Sequence, residues 1–304
     1  VLNERTYPNL LKLFAELGVV TAKSDMSFSV QAFDQINERA LEWSGCNLNT
    51  VFAQRSNLLH GRFWGMLRDL LRFNTLTTRI AQSGTEVELA QPLGDFLREH
   101  RFGRAFCDWY FLPMMACIWS CPTAQMLQFP VATMVRFCHN HGLLQIQNRP
   151  QWLTVKGGSR EYVKRIVSAL EQHGVNIRRE GALRVNTSQN DKNQVEVISP
   201  SGSMMFDEVV MACHSDQTLD LVHGINQQTR DILAAIPYQK NRAILHTDSR
   251  FLPKEKRCWA AWNYTAKSGA KPSSKQHVSV NYLINRLQPL PDKLQNIQII
   301  VSLN

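Results

Sequence analysis

The chain has 304 residues, 44% hydrophobic and 19% charged, which is enough apolar material for two domains or one large one and argues against disorder. Its 34 Lys+Arg against 25 Asp+Glu give a net charge of +9, which admits nucleic acid or an anionic membrane surface as a partner and identifies neither. Seven cysteines without small-scaffold spacing fit a reduced, cytoplasmic protein, and no apolar run reaches the roughly 18–20 residues of a membrane span. The opening residues do not have the pattern of a signal peptide. Residues 1–4 and 296–304 both read as parts of strands cut short, so an internal piece of a longer protein is expected.

A helix is expected over residues 7–18, where Leu10, Leu13, Phe14 and Leu17 share a face and Gly18 ends the run. Residues 26–33 alternate as a strand, with Ser27, Ser29 and Gln31 on one face and Phe28, Val30 and Ala32 on the other. Residues 49–142 are helical almost throughout. Leu59, Phe63, Met66, Leu70 and Phe73 recur at helical spacing, and further helices are expected over 92–99, 104–119 and 123–141. Mixed structure follows: a strand at 151–155, the turn Gly157-Gly158-Ser159, and a helix over 160–173. Strands are expected at 176–186, 194–199 and 204–212, then helices near 216–222 and 227–235. Strands near 242–248, 258–264, 277–285 and 296–304 complete the chain, with a loop at 267–275. A helical block before a mixed block argues an α/β or α+β enzyme.

Paired glycines before a helix let the backbone approach a phosphate or a flat ring, although a Gly-Gly alone is more often just a tight turn. The order of elements says more. Val155-Lys-Gly157-Gly158, Gly174-Val175-Asn-Ile177, Ala182-Leu183-Arg-Val185 and Asp207-Glu-Val209-Val210-Met-Ala212 follow one another as they do in a known family. Thr6-Tyr7-Pro8-Asn9 and Met26-Ser-Phe-Ser-Val30 fit it too, as do Ala212-Cys213-His-Ser-Asp-Gln217 and Trp259-Ala-Ala-Trp262-Asn-Tyr264. The chain resembles the flavin-containing amine oxidase and phytoene desaturase superfamily, in the bacterial branch of NAD/FAD-binding proteins.

The resemblance implies a helical and antiparallel-sheet substrate domain and part of an FAD/NAD(P)-binding domain with a mixed sheet. It places the substrate domain at 1–150, its sheet at 237–304 and the middle of the FAD domain at 151–236. The family's opening Gly-x-Gly-x-x-Gly and its closing Gly-rich segment do not occur here, so weak or no FAD binding by the chain alone is expected. By resemblance, Ala182 and Ala212 lie on the adenosine side of FAD, Cys213 is a further cofactor-binding residue, and Gly157, Gly158 and Ser159 lie near its ribityl or flavin end. Thr6 and Tyr7 mark where the chain leaves the flavin. The implied chemistry is hydride transfer from an organic substrate to flavin. Where family amine oxidases often place a lysine, this chain has Arg242 or Asn241; an arginine serves poorly as a base, so desaturation of an apolar, lipid-like substrate competes with oxidation of a small amine. Trp262 and Tyr264 share a strand face and are candidates to wall the substrate pocket, with sheet packing as their plainer role.

Two further patterns remain. Residues 57–73 carry Arg62, Arg68 and Arg72 beside an apolar stripe with Phe63 and Trp64, the composition of a membrane-surface helix or, more often, of a core helix with a solvated basic side. Peripheral membrane contact, or even a non-catalytic lipid-binding module, is the competing expectation. Cys117-x3-Cys121 with Cys138-His139-Asn-His141 does not complete any usual zinc spacing, so no metal is expected. Nucleic-acid binding has only the charge in its favour and is not expected.

Overall fold

The polar and apolar faces of strand residues 26–33 are sorted by a sheet that buries both. In a computed structural model, which describes residues 1–34, 36, 39–119, 123–145, 149–187, 194–238, 240–266 and 279–303, twelve strands occur. They are β1 (Thr21–Ser24), β2 (Phe28–Asp34), β3 (Arg39–Ser44), β4 (Trp152–Val155), β5 (Arg184–Thr187), β6 (Val195–Ser199), β7 (Gly202–Phe206), β8 (Val222–His223), β9 (Ala243–His246), β10 (Trp262–Thr265), β11 (Ser279–Leu283) and β12 (Ile300–Leu303). The chain divides into two units, one of Val1–Ile166 with Asn241–Asn304 and one of Val167–Lys240. The expected loop at 267–275 lies outside the described residues, as does Cys121.

In the first unit a six-stranded sheet runs β3-β2-β10-β11-β12-β9, antiparallel except for the parallel pair β2 and β10. Register places Trp262 opposite both Phe28 and Tyr282, and Tyr264 opposite Val30 and Val280. These side chains, with Leu41 and Trp43, face the helical block and join its core. The other face is polar and still buried: Ser29, Glu42, Ser44, Asn263 and Asn281 are all at most 2% exposed. Backbone and side chains satisfy it. Ser29 Oγ donates to Asn263 Oδ1 at 2.8 Å, and Asn263 Nδ2 donates to the carbonyls of Ala260 and Asn281 at 2.7 and 3.0 Å. The Glu42 carboxylate accepts the amides of Lys254 and Glu255 at 3.0 and 2.8 Å, and Gln31 Nε2 at 2.7 Å. The Asp248 amide donates to His246 Nδ1, so His246 Nε2 carries the proton and donates to Ser302 Oγ at 2.7 Å; Ser302 in turn donates to Asn281 Oδ1.

The helical block is organised by the helix Gly61–Ser83, whose Phe63, Met66 and Phe73 are fully buried. Arg104–Phe106, a π-helical turn Cys107–Phe111 and Leu112–Trp119 continue one another. Pro113 has no N–H to offer the Trp109 carbonyl four residues back, and Trp43 Nε1 donates to that carbonyl at 3.1 Å. The helix expected over 123–141 is two, Thr123–Met126 and Val131–Asn140, because Pro130 interrupts the hydrogen-bond ladder. Leu59 is not on the helix stripe. It ends the 3-10 turn Arg55–Leu59 and is 94% exposed.

A buried charge cluster anchors the β2–β3 end. Asp34, 1% exposed, pairs with Arg62 at 2.6 Å and His60 at 3.1 Å, and Arg39 donates to Asn57. Burial first, and then Arg39, holds His60 below its ordinary value of 6.5, with Asp34 pulling the other way. A histidine depressed by folding binds its proton more readily in the unfolded chain, so stability falls as pH drops through about 6.5 towards the folded value. Thermal melts between about pH 7.5 and about pH 5.5 should therefore show a declining Tm, shallower in His60→Gln; equal slopes in the two proteins would refute the assignment.

In the second unit β7-β6-β5-β8 form a sheet, antiparallel except for the parallel pair of β5 and β8. Two expected strands are shorter than the sequence pattern. Of residues 176–186 only 184–186 pair, and of 204–212 only 204–206. Residues 209–212 are apolar enough for a strand, whereas 175–182 carry Arg178, Arg179, Glu180 and Gly181; no described strand lies beside either segment to take its N–H and C=O groups. Val210 is 88% exposed as a result. Among the described residues no helix is long and apolar enough to cross a membrane.

Candidate functional site

The Gly157–Ser159 turn is built from the strand before it. Leu2 bridges Leu153 through 2.9 and 2.7 Å backbone bonds, β1 pairs β4 antiparallel, and Val155 is buried against Leu2 and Phe14. Gly157 and Gly158 then take φ of +84° and +90°, where a side chain would be strained. A Cβ on Gly158 would meet nothing within 4 Å, so the turn is open on that side. The helix Arg160–Gln172 starts directly after Ser159, and the amides of Ser159 and Arg160 have no hydrogen-bond partner among the described residues. This is an open turn feeding a helix N-terminus, and it fits a phosphate, ribityl chain or flat ring.

Tyr7 packs against the same small cluster of Leu2, Phe14 and Val155. Thr6 Oγ1 donates to the Asn140 carbonyl at 3.0 Å. His141 Nδ1 lies 2.8 Å from the Phe137 carbonyl, which can only accept, so Nε2 accepts the Tyr7 hydroxyl at 3.4 Å. The imidazole is stacked on Phe137 and faces Trp152. In the sequence His141 figures only in an incomplete zinc pattern; its link to Tyr7 spans 134 positions and leaves no local pattern.

Trp262 and Tyr264 do share a face, as their spacing implied. Tyr282, not singled out in the sequence, completes the wall: its ring meets Trp262 edge-on at 5.5 Å and its hydroxyl lies 3.4 Å from the Cys117 carbonyl. Alternation in β11 (Val280, Tyr282) was the available signal. Burial pushes the Tyr264 hydroxyl up to about 12, with Cys117 and Asp108 adding to it. Trp262 Nε1 is buried without a hydrogen-bond partner among the described residues. Arg242 is exposed just before β9, and β11 and β12 lie between β9 and the strand that carries Trp262 and Tyr264. In the second unit Ala182, Ala212 and Cys213 are all exposed; Cys213 Sγ lies 3.3 Å from Thr218 Oγ1, at the start of the helix Ser215–Leu221.

The cysteines divide sharply. Cys46 and Cys213 are exposed, whereas Cys117 and Cys138 are buried. Burial raises Cys107, Cys138 and Cys258 to about 12 and holds Cys117 well above the ordinary thiol value. A maleimide applied to the folded protein should therefore modify Cys46 and Cys213 and spare these four until denaturant is added; mass spectrometry of labelled peptides decides it. Among the described residues no three His, Cys, Asp or Glu side chains are placed to hold a metal ion.

No protein-family model and no curated protein sequence matches the chain. Solved structures do. Putrescine oxidase bound to putrescine aligns over 99% of this chain with a TM-score of 0.61 at 11% identity. A CLA-producing fatty acid isomerase from P. acnes aligns over 98% with a TM-score of 0.60 at 13% identity, and cyclohexylamine oxidase from Brevibacterium oxydans over 97% with 0.57 at 11%. The chain spans 63%, 62% and 60% of those proteins respectively. The likeness read from the motifs thus holds in three dimensions, and the chain has the fold of these proteins over a little under two thirds of their length.

Proposed function

We propose that this chain supplies the substrate domain and part of the dinucleotide domain of an FAD-dependent oxidoreductase that takes a hydride from an organic substrate. The observation that carries the proposal is the end-to-end alignment with two amine oxidases and a fatty acid isomerase. FAD, when bound, accepts the hydride; the chain's own residues bind and orient. Gly157, Gly158 and Ser159 would hold the cofactor by backbone, and Thr6 and Tyr7 belong to the same unit; in the second unit Ala182, Ala212 and Cys213 are proposed for cofactor binding, the two alanines for its adenosine part. Residues 1–150 and 237–304 then form the substrate domain, and 151–236 the FAD-binding part. The Tyr7 hydroxyl, donating to His141, holds the position of the segment that carries Thr6.

Trp262, Tyr264 and Tyr282 make the substrate wall, and the Trp262 Nε1–H, which has no partner among the described residues, is a donor for an acceptor atom on the substrate. Among the described residues, the carboxylate that acts on Tyr264 is Asp108, and burial raises its pKa towards the neutral acid. That favours an apolar, lipid-like substrate over a small amine. Arg242 is retained as a candidate for orienting charge, since a guanidinium does not act as a base at neutral pH. The test is to express the complete reading frame that contains this chain, extract its cofactor, and add amines and unsaturated acyl chains without oxygen. Flavin in the preparation, bleached by one of these classes and depleted in Gly158→Val, is the expected result. A colourless product from a folded protein would end the proposal.

A further inference from the structure

We propose that the outward side of the turn Arg55–Leu59 and the helix Gly61–Ser83 docks on an anionic lipid bilayer, a property that rests on the surface alone and not on the flavin reading. Buried residues of this helix already account for its core packing, yet its solvent side is not ordinary. Leu58, Leu59, Trp64 and Leu71 are 46%, 94%, 49% and 54% exposed. Trp64 and Leu71 stand seven residues apart, about 10 Å along the axis, with Arg68 between them on the same side. The Trp64 indole N–H donates to the Leu58 carbonyl at 2.8 Å, and its ring rests against Phe52 at 5.2 Å. The polar group of the tryptophan is thus satisfied by the protein and ties Leu58 to the helix, leaving an apolar ridge.

Arginines outnumber carboxylates around the ridge. Between Glu42 and Glu86 the only carboxylate is Asp69, against Arg55, Arg62, Arg68, Arg72 and Arg79. Asp69 is 4% exposed and occupied, accepting the Gly103 amide at 2.9 Å and pairing with Arg72 at 3.1 Å. The Arg68 and Arg79 side chains are 78% and 64% exposed, Arg68 lying 3.7 Å from the buried Asp69 carboxylate and Arg79 4.0 Å from Glu88 at the edge of the patch. Apolar knobs that enter an acyl layer, beside arginines at headgroup level, are what a peripheral bilayer contact requires. A second copy would set these arginines against one another. Phosphates of a nucleic acid have no use for a leucine exposed to 94%.

Flotation of the purified chain with phosphatidylcholine vesicles, with and without phosphatidylglycerol, tests this. Binding to the anionic vesicles alone, weakened by salt, is expected. Each arginine near an anionic surface contributes about fivefold in binding, so Arg68→Gln with Arg79→Gln should lower it about 25-fold, and Leu59→Ser with Trp64→Ser at least about tenfold. All four positions are exposed, and unchanged thermal melts confirm the fold. Brominated acyl chains should quench wild-type fluorescence more than that of Trp64→Phe, which reads the contact without a destabilising change. Absence of binding to anionic vesicles, or variants that bind as wild type, would overturn the proposal. So would binding confined to an acidic polypeptide such as polyglutamate.

Discussion

Replacing Asn263 with leucine should cost about 3 kcal/mol or more of folding stability, although the two side chains are nearly isosteric. Asn263 is fully buried on the polar face of the main sheet. Its Oδ1 accepts Ser29 Oγ and the Ala260 amide at 2.8 and 3.0 Å, and its Nδ2 donates to the carbonyls of Ala260 and Asn281. Leucine would fill the space and leave the Ser29 hydroxyl and the Ala260 amide and carbonyl without these partners. Each buried polar group so orphaned costs about 1–3 kcal/mol. Ser29→Ala is the matched comparison: Asn263 Oδ1 keeps the Ala260 amide, so the loss should be nearer 1 kcal/mol. Urea unfolding followed by tryptophan fluorescence measures both. A loss below that of Ser29→Ala would show that the network adds nothing. Asn263 also lies between Trp262 and Tyr264 in β10, so the polar face holds the strand that presents the aromatic wall on the other side.

That network marks where sequence reasoning runs out. The helices were legible because apolar spacing, Pro8 and Gly18 set their limits locally, and Gly157-Gly158 was legible because a turn with positive φ favours glycine. The strand β3 was missed although Leu41 and Trp43 alternate with Glu42 and Ser44, and nothing local shows that Glu42 is buried; the amides of Lys254 and Glu255, more than 200 residues on, help to explain that. Ser29 and Asn263 are likewise 234 residues apart. The opposite error occurs at 207–212, where Val-Val-Met-Ala has the composition of a strand. Composition supplies the apolar side chains, but a strand also needs neighbours for its backbone, and none is present among the described residues. The aromatic wall shows both effects: Trp262 and Tyr264 follow from alternation within one strand, whereas Tyr282 joins them through cross-strand register.

The net charge of +9 also takes on a location. Part of it is spent internally, as Arg62 pairs with buried Asp34 and Arg72 with Asp69. What remains on the helix Gly61–Ser83 stands beside exposed leucines and a tryptophan, not spread over a polar surface. Core and surface functions therefore share one helix, and single substitutions separate them.

Phe73→Ala should destabilise the chain by about 3–5 kcal/mol, while Leu71→Ala, two positions earlier, should cost less than about 0.5 kcal/mol. Phe73 is fully buried and its ring lies 6.5, 5.4, 5.3 and 4.8 Å from those of Phe96, Phe102, Phe106 and Phe111. It is the contact through which the long helix holds Leu93–Glu99 and the continuous run from Arg104. Truncation would remove the ring from four aromatic neighbours and leave a cavity that rigid helices cannot close. Leu71 is 54% exposed and gives up only surface. Against a total stability of about 5–15 kcal/mol for a typical domain, the first change brings the first unit close to unfolding. The second should leave the melting curve unchanged and weaken binding to anionic vesicles. If Leu71→Ala instead lowered stability as much as Phe73→Ala, its exposed side chain would be part of the core packing and the outward ridge would lose one of its members.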